Sequence, residues 1–107
     1  MFAVKNITMV RGDTLAFDSY FDNLDTSLSS AYFTAKANLE DAEPAFQVSL
    51  GEGITEIEGG IHIRIAPELT ASLDPGSYFY DFQIGIGSDV YTLMLGQIDI
   101  ILGTTED

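Results

Sequence analysis

Apolar and polar residues alternate with period two along most of this chain, in short runs separated by clusters of Gly, Asp, Asn, Ser and Pro. That period puts successive side chains on opposite faces of an extended segment, so the runs read as half-buried strands and helix is the minor component. The first run is Ile7 to Val10, and Arg11-Gly12-Asp13 turns the chain into Thr14 to Phe21, where Leu15, Phe17 and Phe21 share a face. A loop over Asp22 to Ser30 leads to a strand from Ala31 to Ala37, with Phe33 and Ala35 on one side and Tyr32, Thr34 and Lys36 on the other. The acidic stretch Leu39 to Pro44 interrupts pairing, because proline lacks an amide donor and carboxylates repel one another. Ala45 to Leu50, Ile54 to Ile57 and Ile61 to Ile65 form shorter strands around Gly51-Glu52-Gly53 and Gly59-Gly60. Pro67 to Leu73 predicts one short helical turn, with proline at the first helical position and Glu68 behind it.

The last hairpin can be paired residue by residue. A two-residue turn at Gly87-Ser88 sets Phe82 opposite Leu93, Ile84 opposite Tyr91 and Tyr80 opposite Leu95, and moving the turn to Ser88-Asp89 keeps every face unchanged. One face then holds Tyr78, Tyr80, Phe82, Ile84, Tyr91, Leu93 and Leu95, a core. The other carries Phe79, Asp81, Gln83, Thr92, Met94, Ile98 and Ile100, more apolar than a solvated sheet face, which predicts a second contact surface. Phe79, Met94 and Ile98 are the candidate interface residues. The competing explanation is that a loop or the N-terminal strand of the same chain covers them.

Just before that hairpin stands Asp74-Pro75-Gly76-Ser77-Tyr78. Asp-x-Gly-x-Tyr has the spacing of the immunoglobulin-type corner, where a tyrosine hydroxyl bonds back to the backbone a few residues upstream while its ring fills the core. Asp74, Gly76 and Tyr78 are therefore the structural corner. Tyr80 stands where antibody domains carry a cysteine, so a ring must replace the covalent staple. The expectation is an all-β, immunoglobulin-like antiparallel sandwich of about seven to nine strands with one short helical turn.

The 107 residues fit one domain, residues 1–107, and 46% hydrophobic against 20% charged residues describes a packed globule. Cysteine is absent, which removes disulfides, thiol nucleophiles and thiolate metal sites. The N-terminal segment lacks the apolar run of a signal peptide, so synthesis in the cytoplasm is expected. A net charge of −13 makes contact with bare nucleic acid or an anionic membrane repulsive and favours neutral, basic or cationic partners. The same acidity would also keep an all-strand protein soluble and its open edges apart.

No constellation of residues spells catalysis, and no cofactor or metal is expected. His62, the single histidine, lies on the polar side of its strand and has no partner of known proximity for a triad. Asp22-Asn23-Leu24-Asp25 offers oxygens but lacks the calcium-loop frame. Gly85-x-Gly87 leads into strand, where a phosphate cradle needs a helix N-terminus. Arg11-Gly12-Asp13 matches the integrin tripeptide, yet a turn between strands explains it through glycine's freedom and aspartate's bond to its own backbone.

Val10 to Thr14, Ala31 to Thr34, Ala66-Pro67 with Thr70, Pro75 to Asp81 and Tyr91 to Leu93 with Gly96 together resemble the N-terminal immunoglobulin-like domain of phage baseplate upper proteins, across nearly the whole chain. The family members continue into a coiled coil or receptor-binding region, whereas this sequence stops at Asp107. The resemblance implies a virion structural protein of a phage or prophage, of tail or baseplate type, made in the bacterial cytoplasm. Its partners would be other virion proteins and further copies of itself, as a homo-oligomer. Two other classes compete. An acidic phage inhibitor imitating nucleic acid would need a one-sided stripe of carboxylates, whereas the acids here are spread over most turns. A carbohydrate-binding module would use exposed rings, for which Tyr20 and Tyr32 are the candidates.

Overall fold

Among the described residues the alternating pattern folds into nine strands and one four-residue helix: β1 (Ala3–Val4), β2 (Ile7–Val10), β3 (Leu15–Tyr20), β4 (Ser30–Lys36), β5 (Phe46–Leu50), β6 (Gly53–Ile57), β7 (Gly60–Ile65), α1 (Pro67–Thr70), β8 (Gly76–Ile86) and β9 (Asp89–Ile101). The computed structural model describes residues 3–20 and 28–103. Phe21 and the Asp22 to Asp25 stretch lie outside the described residues.

Hydrogen bonding runs through the strands in the order β1-β9-β8-β4-β5-β6-β7-β3, with β2 also on β9. The path bends back on itself at β5 and β6, which touch in parallel over only Ser49↔Gly53 and Leu50↔Ile54. Two layers result. The larger contains β1, β2, β9, β8, β4 and β5; the smaller contains β6, β7 and β3. With β3 to β9 taken as strands B, C, C′, D, E, F and G, the smaller layer is the B-E-D sheet and the larger the C-F-G sheet extended by C′, the arrangement of an immunoglobulin-like sandwich. The layering is not wholly antiparallel, because β1 and β2 run parallel to β9. The chain enters along the open edge of β9 and not beside β3.

One core cluster fills the space between the layers, and Phe33 of β4 sits at its centre, fully buried. Its ring stacks on Tyr80 of β8 at 4.9 Å and meets Phe17 of β3 edge-on at 6.1 Å across the layers. Offset-stacked and edge-on rings are the favourable aromatic arrangements, worth roughly 0.5–1.5 kcal/mol beyond area burial. Phe17 and Tyr80 lie on the two strands that a disulfide joins in antibody domains, and Phe33 lies on the strand that carries their buried tryptophan. Aromatic contact takes the place of the staple.

The corner forms as the spacing requires. The Tyr78 hydroxyl donates to the Asp74 carbonyl at 2.6 Å, and Gly76 takes φ of 147°, a backbone state that side-chain-bearing residues rarely adopt. Below it, the Gly12 amide donates to Oγ1 of fully buried Thr70 at 2.9 Å, and Arg11 Nη1 donates to the Leu73 carbonyl at 3.3 Å. The Arg11-Gly12-Asp13 turn is thus tied to α1 and its C-terminal extension.

The β8–β9 hairpin departs from the simple register. Ile84 does face Tyr91 and Gln83 faces Thr92, but Phe82 then pairs with Met94, so Leu93 is an extra residue on β9. Beyond this bulge Tyr80 faces Gly96, Tyr78 faces Ile98 and Gly76 faces Ile100, which replaces the predicted Phe82–Leu93 and Tyr80–Leu95 pairs. A one-residue slip exchanges the faces of everything that follows it. Ile98 and Ile100 are consequently core residues, while Leu95 and Gln97 lie on the side of Asp81 and Phe79. Burying two isoleucines drives the slip, since a fully buried aliphatic side chain contributes about 1.5–3 kcal/mol. Gly96 permits it. A Cβ there would lie 2.2 Å from the Lys5 carbonyl oxygen, which receives the Tyr80 hydroxyl at 2.6 Å.

Candidate functional site

Period two gives the larger layer an outer face, and the pairing registers align its side chains in rows. One row runs Val4, Leu95, Asp81, Thr34, Gln47 across β1, β9, β8, β4 and β5. Beside it, Gln97, Phe79 and Lys36 form a second row, and Thr92, Gln83 and Tyr32 a third. The long β4–β5 connection stands at one side of these rows and contributes Leu39, Ala42 and Pro44; Val4 and Asn6 contribute at the other. The concavity that results has a volume of about 960 Å³. It is open to solvent, and its apolar contributors include Val4 and Leu39, both largely exposed.

Polar groups in the trough are partly satisfied by one another. Gln47 Nε2 donates to Thr34 Oγ1 at 2.8 Å, and Gln83 Nε2 donates to Thr92 Oγ1 at 3.4 Å. Asp81 differs. Among the described residues its carboxylate receives no hydrogen bond and joins no ion pair within 4.0 Å, although Lys36 is near enough to act on it electrostatically. Burial pushes the Asp81 carboxyl above the usual carboxylate range, and Lys36 pulls it partly back.

The predicted interface residues separate. Phe79 is on the outer face and lines the trough, half-buried. Ile98 is fully buried opposite Tyr78 on the inner side of the layer, so it belongs to the core and cannot contact a partner. Met94 packs against the core next to the bulge and opposite Phe82, again on the inner side. Both corrections have one cause, the extra residue at Leu93. The same slip brings Leu95 outward, a trough residue that simple alternation had assigned to the core. The N-terminal strands extend the layer along β9, and Val4 joins the outer row without covering it.

Other candidates lie apart from this surface. His62 and Asp18 form a pair on the outer side of the smaller layer, with Nδ1 and Oδ1 2.6 Å apart and Tyr20 donating to Asp18 Oδ2 at 3.3 Å. His62 had no assignable partner in the sequence because its neighbour comes from β3, 44 residues away. Tyr20 and Tyr32 are exposed on the outer sides of different layers, so they do not form one stacking platform. Carboxylates are likewise divided, with Asp18 on one outer face and Asp81 and Asp99 on the other. Among the described residues no group of three or more His, Asp or Glu side chains is placed to hold a metal ion, and no helix is long and apolar enough to cross a membrane.

No protein-family model and no curated protein matches this sequence. Several solved structures are similar in shape, two of them as follows. The extracellular domain of the voltage-gated sodium channel beta4 subunit, described as a parallel homodimer with a role in cell-cell adhesion, aligns with a TM-score of 0.46 and 13% identity over 95% of this chain and 96% of that one. The extracellular fragment of novel immune-type receptor 11 from Ictalurus punctatus, including its stalk region, aligns with a TM-score of 0.47 and 11% identity over 100% of this chain and 90% of that one. The immunoglobulin-like architecture of this chain rests on its own strand order and tyrosine corner.

Proposed function

We propose that this chain is a non-catalytic structural protein of a phage or prophage particle, of tail or baseplate type, which docks another virion protein on the outer face of its larger layer. The observation that carries the docking reading is the trough itself, an apolar-walled concavity on a sheet face that alternation would otherwise leave flat and solvated. The virion assignment is supported by the resemblance of the turn, strand and corner residues to baseplate upper proteins.

A different protein suits the trough better than a second copy of this chain. Two concave faces leave a gap where packing is needed, and each copy brings a net charge of −13. Copies are instead placed beside one another by the symmetry of the particle, with the troughs turned toward the other protein. Quantitative mass spectrometry of particles purified from a host carrying the gene tests this. The chain should be present at a fixed ratio to the tail proteins, and Phe79→Glu should remove it from particles while the free protein keeps its circular dichroism. Absence of the unaltered chain from purified particles would refute the virion role.

A further inference from the structure

We propose that the trough receives a basic segment of the docked partner, with one lysine or arginine side chain laid along Phe79 and Leu95 and its cation set against the Asp81 carboxylate. This rests on the docking reading above and adds the chemistry of the occupant.

The reasoning starts from what docking does to Asp81. The carboxylate sits in the middle strand of the layer, in the row from Val4 to Gln47, with no hydrogen bond or ion pair from the described residues. Water solvates it while the trough is open. A partner that covered it with carbon would strand a charge in a medium of low dielectric, at a cost of several kcal/mol. A partner bringing a cation turns the same position into a desolvated pair. Apolar carbon on both sides of Asp81, from Phe79 and Leu95, matches the aliphatic stem of a long basic side chain.

Lys36 does not already fill this role. It stands opposite Phe79 in the neighbouring row, beyond ion-pair distance of Asp81, and its flexible stem lets the ammonium move to the water at the rim. The volume of about 960 Å³ exceeds one side chain and suits a short segment. Charge over the rest of the molecule acts in the same direction: 17 acidic against four basic residues steer a cationic segment toward the surface.

The probe is the peptide acetyl-Gly-Leu-Arg-Leu-Arg-Leu-Gly-amide, titrated into the full ¹⁵N-labelled chain and followed by amide chemical shifts, beside a counterpart with norleucine for both arginines. Saturable shifts are expected at Thr34, Asp81 and Leu95 with the arginine peptide only. Asp81→Asn should weaken binding tenfold or more, whereas Asp99→Asn, an equal charge change on the same outer face, should leave it within twofold. Asp81→Asn removes a charge that burial disfavours, so the variant keeps its fold and its spectrum shows this directly. Equal effects of the two variants, equal binding of the norleucine peptide, or shifts confined to the acidic loops would overturn the inference. If the peptide fails while Phe79→Glu still empties the particles, the docking surface stands and its basic occupant falls. If the peptide binds Asp81 but the chain is absent from particles, the site stands and the virion role falls.

Discussion

The bulge at Leu93 decides which residues of β9 hold the fold together, and truncating Ile98 and Leu95 separately measures it. Ile98 is fully buried between Tyr78 on β8 and Ile7 on β2. Ile98→Ala removes three carbons, about 2.4 kcal/mol of transfer free energy at roughly 0.8 kcal/mol per carbon. If on the order of 50 Å³ stays empty, a cavity term near 24 cal/mol per Å³ adds about 1.2 kcal/mol, for a total of about 3.6 kcal/mol. Leu95 is half-exposed on an open trough, so Leu95→Ala loses about half the transfer value and leaves no closed cavity, about 1.2 kcal/mol. Urea denaturation reads the difference. With a slope of about 1.5 kcal/mol per M, the midpoint should fall by about 2.4 M for Ile98→Ala and about 0.8 M for Leu95→Ala. An equal or larger loss for Leu95→Ala would show an unbulged hairpin and refute both the register and the trough built on it.

Other perturbations probe the remaining links. Gly96→Ala sets a methyl against the Lys5 carbonyl and should cost about 1–3 kcal/mol, with hydrogen exchange showing lost protection at Lys5 while Phe33 stays protected. Thr70→Val removes the acceptor for the Gly12 amide and should cost about 1–3 kcal/mol in thermal unfolding; no change would mean that the turn is not held by α1. Burial raises Tyr78 and Tyr80 above the ordinary phenol value, Asp74 adding to the effect at Tyr78, so the folded state holds these protons more tightly than the unfolded chain. Their contribution is complete below about pH 10 and is lost as pH rises through the raised folded values. The Tyr78→Phe, Tyr80→Phe double variant should be about 1–3 kcal/mol less stable at pH 7 and lose less stability above pH 10 than the parent in urea titrations.

Strand positions, the helical turn at Pro67 and the tyrosine corner were legible in the chain because each depends on residues close in sequence. Period two sets the faces of a strand, proline and glycine punctuate it, and Tyr78 reaches a carbonyl four residues away. Phe79 and Asp81 were correctly placed outward for the same reason, since β8 runs without interruption. The trough was not legible. Its walls come from Val4 and from the Leu39 to Pro44 connection, which reach Phe79 only once β1 lies along β9 and β4 is paired with both β5 and β8.

What the amino-acid order determined alone is therefore the local grammar: all-β class, turn sites, the corner and the aromatic substitute for a disulfide. Tertiary structure decided the second half of β9, where two registers compete, one burying Leu95 and the other Met94, Ile98 and Ile100, with Leu93 against the core at the bulge between them. Alternation cannot choose between them, because either register satisfies period two. The choice is made by how much apolar surface each register removes from water against β8 and β2, and by the room Gly96 leaves for the carbonyl of Lys5.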